Sequence, residues 1–219
     1  IIISRMQREF RTNVNVGKPQ VVYRETIGKK SSASVVFDKE IAGQRHFAEV
    51  SVQMAPLPRG PGNKFVNRIP ADALPELLIT AIEKGVLESL ESGSLMGYPV
   101  VDVEVKLVNT TYKESLGTEL AYTVSASMAC KEAMTAGNPF LLEPIMTVEI
   151  FVPEAFMGDV IGDLNSRGGK IESIEHKGGA QVINATVPLS QMFGYSTTLR
   201  SATQGRGTFS MQFSHFDRS

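Results

Sequence analysis

Cysteine is almost missing from this 219-residue chain: Cys130 stands alone, so no disulfide within the chain can staple the fold, which fits a reducing compartment. Histidine is scarce as well. His46, His176 and His215 are far apart, and no HxxxH or CxxC frame gathers metal ligands. No segment reads GxxxxGK[ST], so the backbone cradle and lysine that hold the phosphates of a nucleoside triphosphate are lacking. No apolar run approaches the roughly 20 residues of a membrane span. The apolar opening Ile1–Ile3 meets Ser4, Arg5 and Arg8 at once, unlike a secretory leader.

What is present is ordinary globular material, 42% hydrophobic and 21% charged, enough for one large or two ordinary domains. The net charge of −1 conceals an uneven distribution. Residues 1–30 carry 7 Lys or Arg against 2 Glu, residues 31–143 carry 9 against 14 acids, and residues 144–219 carry 6 against 7. A basic opening suits a phosphate-contacting arm and equally a solvated helix end at a domain junction.

The last third of the chain has the clearest periodicity. Met157, Val160, Ile161 and Leu164 fall on one face of a helix, and Gly168 and Gly169 follow where a left-handed cap is wanted. A second helix is expected from Ser190 to about Gln204. Strands at Ile145–Val152, Lys170–Glu175, Gln181–Val187 and Thr208–His215 complete a βαββαβ order, and in the last of them Phe209, Met211 and Phe213 alternate as if facing the helices. Asp159 and Asp163, four apart, read as a solvated helix face rather than a paired-carboxylate site. Arg206–Phe213 partly matches an RNP1 pattern, but Thr208 replaces an aromatic, and Phe209 and Phe213 read as core.

Upstream, Ile1–Phe10 reads as the tail of a helix and Thr12–Val16 as a strand. Strands are then expected at Val21–Ile27, Ser32–Phe37, Phe47–Met54 and Lys64–Arg68, with a Pro/Gly crossing at Pro56–Gly62. A helix begins near Pro75, with Leu78, Ile82, Val86 and Leu90 on its apolar side and Gly93 at its end. Val100–Val108 alternates as a half-buried strand, leaving Asp102, Glu104 and Lys106 wet. A second helix, Thr118–Ala136, is capped by Thr118 and carries a small-residue side of Ala121, Ser125, Ala129 and Ala133. Cys130 on that helix reads as packing.

These segments carry a resemblance along the whole chain. NVGKPQVVYRETI (15–27), PLPRGPGNKFVN (56–67), GYPVVDVEVKL (97–107), LLEPIM (141–146), MGDVIGDLNSR (157–167) and TQGRGTFSMQFS (203–214) resemble, in order, the C-terminal half of the translation elongation factor G family. The resemblance implies an α+β fold. Residues 1–19 would close a preceding small domain, 20–140 would form an elongated arm domain resembling ribosomal protein S5, and 141–219 a ferredoxin-like domain. It also implies a cytoplasmic protein whose partner is the ribosome with its ribosomal RNA, tRNA and mRNA. A monomer without membrane contact is expected, since no apolar stripe is left over after the core assignments. No catalytic residue, cofactor or metal is expected here, and GTP and magnesium are implied for a nucleotide domain that these residues do not contain.

In that family the end of the arm enters the ribosomal decoding region, and its loops follow Tyr-His-Glu/Asp-x-Asp-Ser-Ser and a glycine cluster ending Gly-Gln-Tyr-Gly. Here the first loop aligns with Tyr112-Lys113-Glu114-Ser115-Leu116-Gly117-Thr118, with Lys113 at the histidine position and no Asp-Ser pair. The second aligns with 38–46, which has one glycine. The resemblance thus assigns an RNA-contacting tip to Lys113, Glu114, Tyr112, Lys39, Arg45 and His46, of which Lys113, Lys39 and Arg45 can meet phosphates. The implied role is mechanical, on tRNA and mRNA movement during elongation. Two alternatives stand beside it: a divergent paralogue in ribosome recycling or protection, and a free-standing RNA-binding module.

Overall fold

The computed structural model describes residues 21–219, so the helix expected at Ile1–Phe10 and the strand at Thr12–Val16 lie outside the described residues. After β1 (Arg24–Ile27) come β2 (Ser31–Ile41), β3 (Gln44–Pro56) and β4 (Lys64–Asn67), then helix α1 (Glu76–Glu91), strand β5 (Val103–Thr111) and helix α2 (Glu119–Ala136). Strands β2 to β5 form a sheet in the order β2-β3-β5-β4, antiparallel except for the β4–β5 pair. Both helices cover one face. Val103, Val105 and Leu107 are fully buried beneath them, as are Val50 and Val52 of β3.

Leu78, Ile82, Val86 and Leu90 turn the apolar side of α1 inward, while Leu77 and Leu87 of the same helix are exposed. Thr118 caps α2 by accepting the N–H of Ala121 at 3.2 Å. Gly85 of α1 lets the two helices approach so closely that a Cβ there would collide with the carbonyl of Thr123. Ser125 ties α2 to the sheet by donating to the carbonyl of Val35 at 2.7 Å.

One strand starts later than its alternation suggests. Asp102 adopts φ 57°, which ends any extended run there, and β5 begins at Val103. Asp102 is also buried rather than wet: its carboxylate accepts the N–H of Gly62 at 2.9 Å and meets Arg59 at 3.2 Å, strapping down the Pro/Gly crossing.

The second sheet is built from β6 (Pro139–Pro153), β7 (Lys170–Lys177), β8 (Ala180–Pro188) and β9 (Thr208–Arg218), ordered β9-β6-β8-β7 and wholly antiparallel. Helices α3 (Met157–Ser166) and α4 (Tyr195–Ala202) connect its strands in the βαββαβ manner, which is the ferredoxin-like arrangement. Val148, Ile150, Val160, Leu164, Ile183 and Leu199 form its core. The helix expected over 190–204 is much shorter, because Gly194 sits at φ 74° and α4 starts only after it.

Strand β9 corrects a second expectation. Phe209 packs edge-on against Tyr195 with ring centroids 4.9 Å apart, but Met211 and Phe213 are exposed. The register slips at Ser214, so Phe213 and Phe216 come to the same side with centroids 5.1 Å apart, beyond the reach of the helices. Phe209 and Phe213 therefore lie on the helix side of the sheet, not on the open side where an RNP1 strand stacks bases. Asp163 is held by Arg167 at 2.9 Å, as one half of an ion pair.

Strand β1 is the fifth strand of this second sheet. It pairs with the first four residues of β6, Pro139–Leu142; from Ile145 onward β6 pairs with β8, while β9 runs along its other side. Glu25 of β1 is buried and receives the N–H groups of Leu95, Met96 and Tyr98 from the loop after α1.

Candidate nucleic-acid interface

The segment 38–46, read from sequence as a loop, is the end of a β-ribbon. Strands β2 and β3 pair without interruption from Ser31↔Met54 to Ile41↔Gln44 and turn through Ala42 and Gly43 at φ 54° and 79°. Two successive positive φ values are the primed turn that matches the twist of a hairpin. The chain 112–118 lies beside this ribbon. Its Leu116 and Gly117 N–H groups both bond back to the carbonyl of Lys113, at 2.9 and 2.8 Å, and the N–H of Phe47 on β3 donates to the carbonyl of Leu116 at 2.9 Å. The two segments that the sequence reading assigned to the tip are thus stitched together.

Side-chain alternation then splits the six assigned residues. Asp38, Arg45 and Phe47 share the open face of the ribbon. Phe47 is nonetheless buried, because the loop covers it and the Lys113 ammonium sits 4.0 Å from its ring centroid. Arg45 grips Asp38 with a two-pronged bond, Nε at 2.8 Å and a terminal nitrogen at 2.7 Å. That bond holds the Asp38 carboxyl below the usual carboxylate range, and the charges of Arg45 and Lys113 act in the same direction.

Lys39 and His46 occupy the other face, paired across the ladder. Lys39 is exposed, with its ammonium 5.8 Å from the Phe37 centroid. His46 is buried, its Nδ1 2.7 Å from the Thr118 hydroxyl that caps α2. It anchors the start of the helix and is not open to a partner in this structure. His46 and Glu49 form the one HxxE spacing in the chain, but residues three apart on a strand face opposite ways. Tyr112 and Glu114 are exposed, and the Tyr112 ring packs over Gly117.

Three cations, Lys39, Arg45 and Lys113, therefore stand among three carboxylates, Asp38, Glu40 and Glu114. Asp38 is the member that sequence reasoning missed. Its part depends on the register that sets it opposite Phe47 and diagonal to Arg45, and only the cross-strand alternation of the ribbon could have signalled it. The basic opening of the chain is described only in part. Arg24 lies 5.1 Å over the Phe216 ring, and Lys29 and Lys30 are exposed.

Among the described residues no three of His, Cys, Asp and Glu stand where they could hold a metal ion. Among them, too, no helix is long and apolar enough to cross a membrane. Burial pushes the Cys130 thiol up to about 12, so it is no nucleophile.

The fold is thus a ribbon-tipped α+β domain followed by a ferredoxin-like domain, and the comparisons place that pair in a family. The family model described as "Elongation factor G, domain IV" matches residues 19–138, and "Elongation factor G C-terminus" matches 140–219. The chain belongs to the elongation factor G family. It is 50% identical over 217 residues to elongation factor G of Aquifex pyrophilus, covering 99% of this chain and 31% of that protein. A crystal structure of a protein from Thermus thermophilus superposes with a TM-score of 0.90 at 31% identity, covering 98% of this chain and 32% of the other. The chain thus spans about a third of the length of the relatives it matches.

Proposed function

We propose that these residues are the ribosome-contacting C-terminal part of a translational GTPase of the elongation factor G family, acting mechanically on tRNA and mRNA movement during elongation. The observation that carries this reading is the stitched tip, in which the ribbon 38–46 and the loop 112–118 present Arg45 and Lys113 on one exposed face at the end of the arm. Cations at such an end can meet the phosphates of ribosomal RNA, tRNA or mRNA, and they need no chemistry of their own. GTP and magnesium belong to the nucleotide domain of the whole factor, which supplies the chemistry. The factor acts in the cytoplasm as a monomer.

A second reading, a paralogue working in ribosome recycling or protection, is favoured by one feature. The tip has Lys113 in place of the family histidine and lacks the Asp-Ser pair that follows it.

The test is charge reversal at Lys113 in the full-length factor. Lys113→Glu sets an anion against phosphate, and ribosome-dependent movement of tRNA should fall at least tenfold, whereas Lys113→Arg keeps the cation and should be mild. Full activity of the Glu variant at physiological salt would overturn the assignment of this tip to RNA contact.

A further inference from the structure

The tip has a second property, which rests on the reading that it meets RNA. We propose that Asp38 is a built-in substitute for an RNA phosphate: it fills an anion subsite formed by Arg45 and Lys113, and an incoming phosphodiester takes its place.

Three observations carry this. The first is shape. Arg45 engages both oxygens of Asp38, at 2.8 and 2.7 Å, and the same fork fits two oxygens of a phosphate. Convergence is the second. Asp38 stands opposite Phe47 in the ladder, and Lys113 sits 4.0 Å over the Phe47 ring, so two cations from separate segments address one carboxylate. The third is accessibility. The side chains of Arg45 and Asp38 are 53% and 38% exposed, and an ion pair this open to water is readily exchanged.

The exchange needs no change of fold. The bonds that hold the loop in place, from Phe47 to Leu116 and within 113–117, are backbone bonds and do not involve Asp38. A phosphodiester also carries one negative charge, so it satisfies Arg45 as the carboxylate does, while the displaced, already exposed Asp38 turns to water. The consequence is selectivity. With Arg45 occupied, the free tip holds no spare fork for stray polyanions, and the cation is released only where RNA is pressed against it. Asp38 is then a specificity-determining residue that sets how tightly the tip holds RNA.

The experiment measures binding of the 219-residue chain to small ribosomal subunits between about 50 and 200 mM salt, the range over which phosphate contacts weaken. Asp38→Asn removes the carboxylate that competes with phosphate for Arg45 and keeps the Arg45–phosphate contact of the complex, so affinity should rise severalfold at every salt concentration with the slope of log affinity against log salt unchanged. Glu40→Gln removes the same charge from a neighbouring carboxylate that makes no ion pair among the described residues, and should leave affinity near the parent's. The double variant Asp38→Asn/Arg45→Gln should lose the gain and show a slope shallower by about 0.7 to 0.9, the decrement for one lost phosphate contact. Equal affinities for Asp38→Asn and Glu40→Gln, or a gain that survives in the double variant, would overturn the proposal. Lys113→Glu separates the two levels. If it weakens binding while Asp38→Asn behaves like Glu40→Gln, the masking role falls and the RNA-contacting tip stands; if it binds like the parent, both fall.

Discussion

The carboxylate of Glu25 accepts the backbone N–H of Tyr98 at 2.8 Å, while the N–H of Glu25 donates to the carbonyl of the next residue, Pro99, at 2.9 Å. With Leu95 at 2.8 Å and Met96 at 3.0 Å, three N–H donors converge on one buried carboxylate. Glu25→Ala would orphan all three. At about 1 to 3 kcal/mol per unsatisfied group, three groups would cost roughly 3 to 9 kcal/mol, and because water can reach the exposed Leu95 and Met96 the loss should lie near the low end, about 3 to 5 kcal/mol. Glu25→Gln keeps one acceptor oxygen and should cost less. Urea unfolding gives the size, and amide exchange at Leu95, Met96 and Tyr98 should accelerate first. Unchanged protection there would show that the carboxylate does not hold this loop.

Phe209 is half-buried and meets Tyr195 edge-to-face. Phe209→Ala should destabilise the ferredoxin-like domain by about 2 to 3 kcal/mol, below the 3 to 5 of a fully enclosed ring. Affinity for RNA should not change once the fraction folded is accounted for. Unaltered melting together with weakened RNA binding would return this ring to the base-stacking role.

Alkaline pH should weaken the fold in a defined window. Burial pushes the Cys130 thiol up to about 12 from 9.0, and burial, assisted by Asp163, pushes the Tyr195 hydroxyl up to about 12 from 10.0. The unfolded chain therefore loses these protons first. The stability they support is intact below pH 9 and is lost as pH rises from about 9 toward 12. Urea midpoints followed through that range should fall, and Cys130→Ala should flatten the early part of the decline. Cys130 should also stay unreactive to thiol reagents until the chain unfolds. Rapid labelling of the native protein would contradict its burial.

Much of this architecture could be read from residue order, because periodicity reports which side of an element is apolar. The βαββαβ order, the apolar face of α1, the Thr118 cap and the small-residue side of α2 all follow from local spacing. Periodicity is silent on how far neighbouring elements reach. Met211 and Phe213 alternate like core residues, yet they sit on an edge strand past the cover of the helices. It is also silent on polar pairing across strands. The ribbon beyond Phe37 has polar residues on both faces, so it resembled a loop, and the grip of Arg45 on Asp38 was invisible until the register was known. Asp102 illustrates the same gap at longer range, since its burial depends on Arg59 and Gly62 some forty residues earlier.

Strand β6 carries a mechanical consequence. At about 3.3 Å per residue its 15 residues make a continuous beam roughly 50 Å long. One end is laced to β1 and the remainder to β8 and β9. Rungs perpendicular to such a beam share a load applied along it in shear, all at once, whereas a peeling load breaks them singly. Load from the arm enters this sheet through two connections, β1 to β2 and α2 to β6, and the strands that receive it are laced to each other by four residue pairs and, through Glu25, to the loop after α1. Direction of force, more than its size, would then decide whether the piece behaves as a rigid strut or gives way.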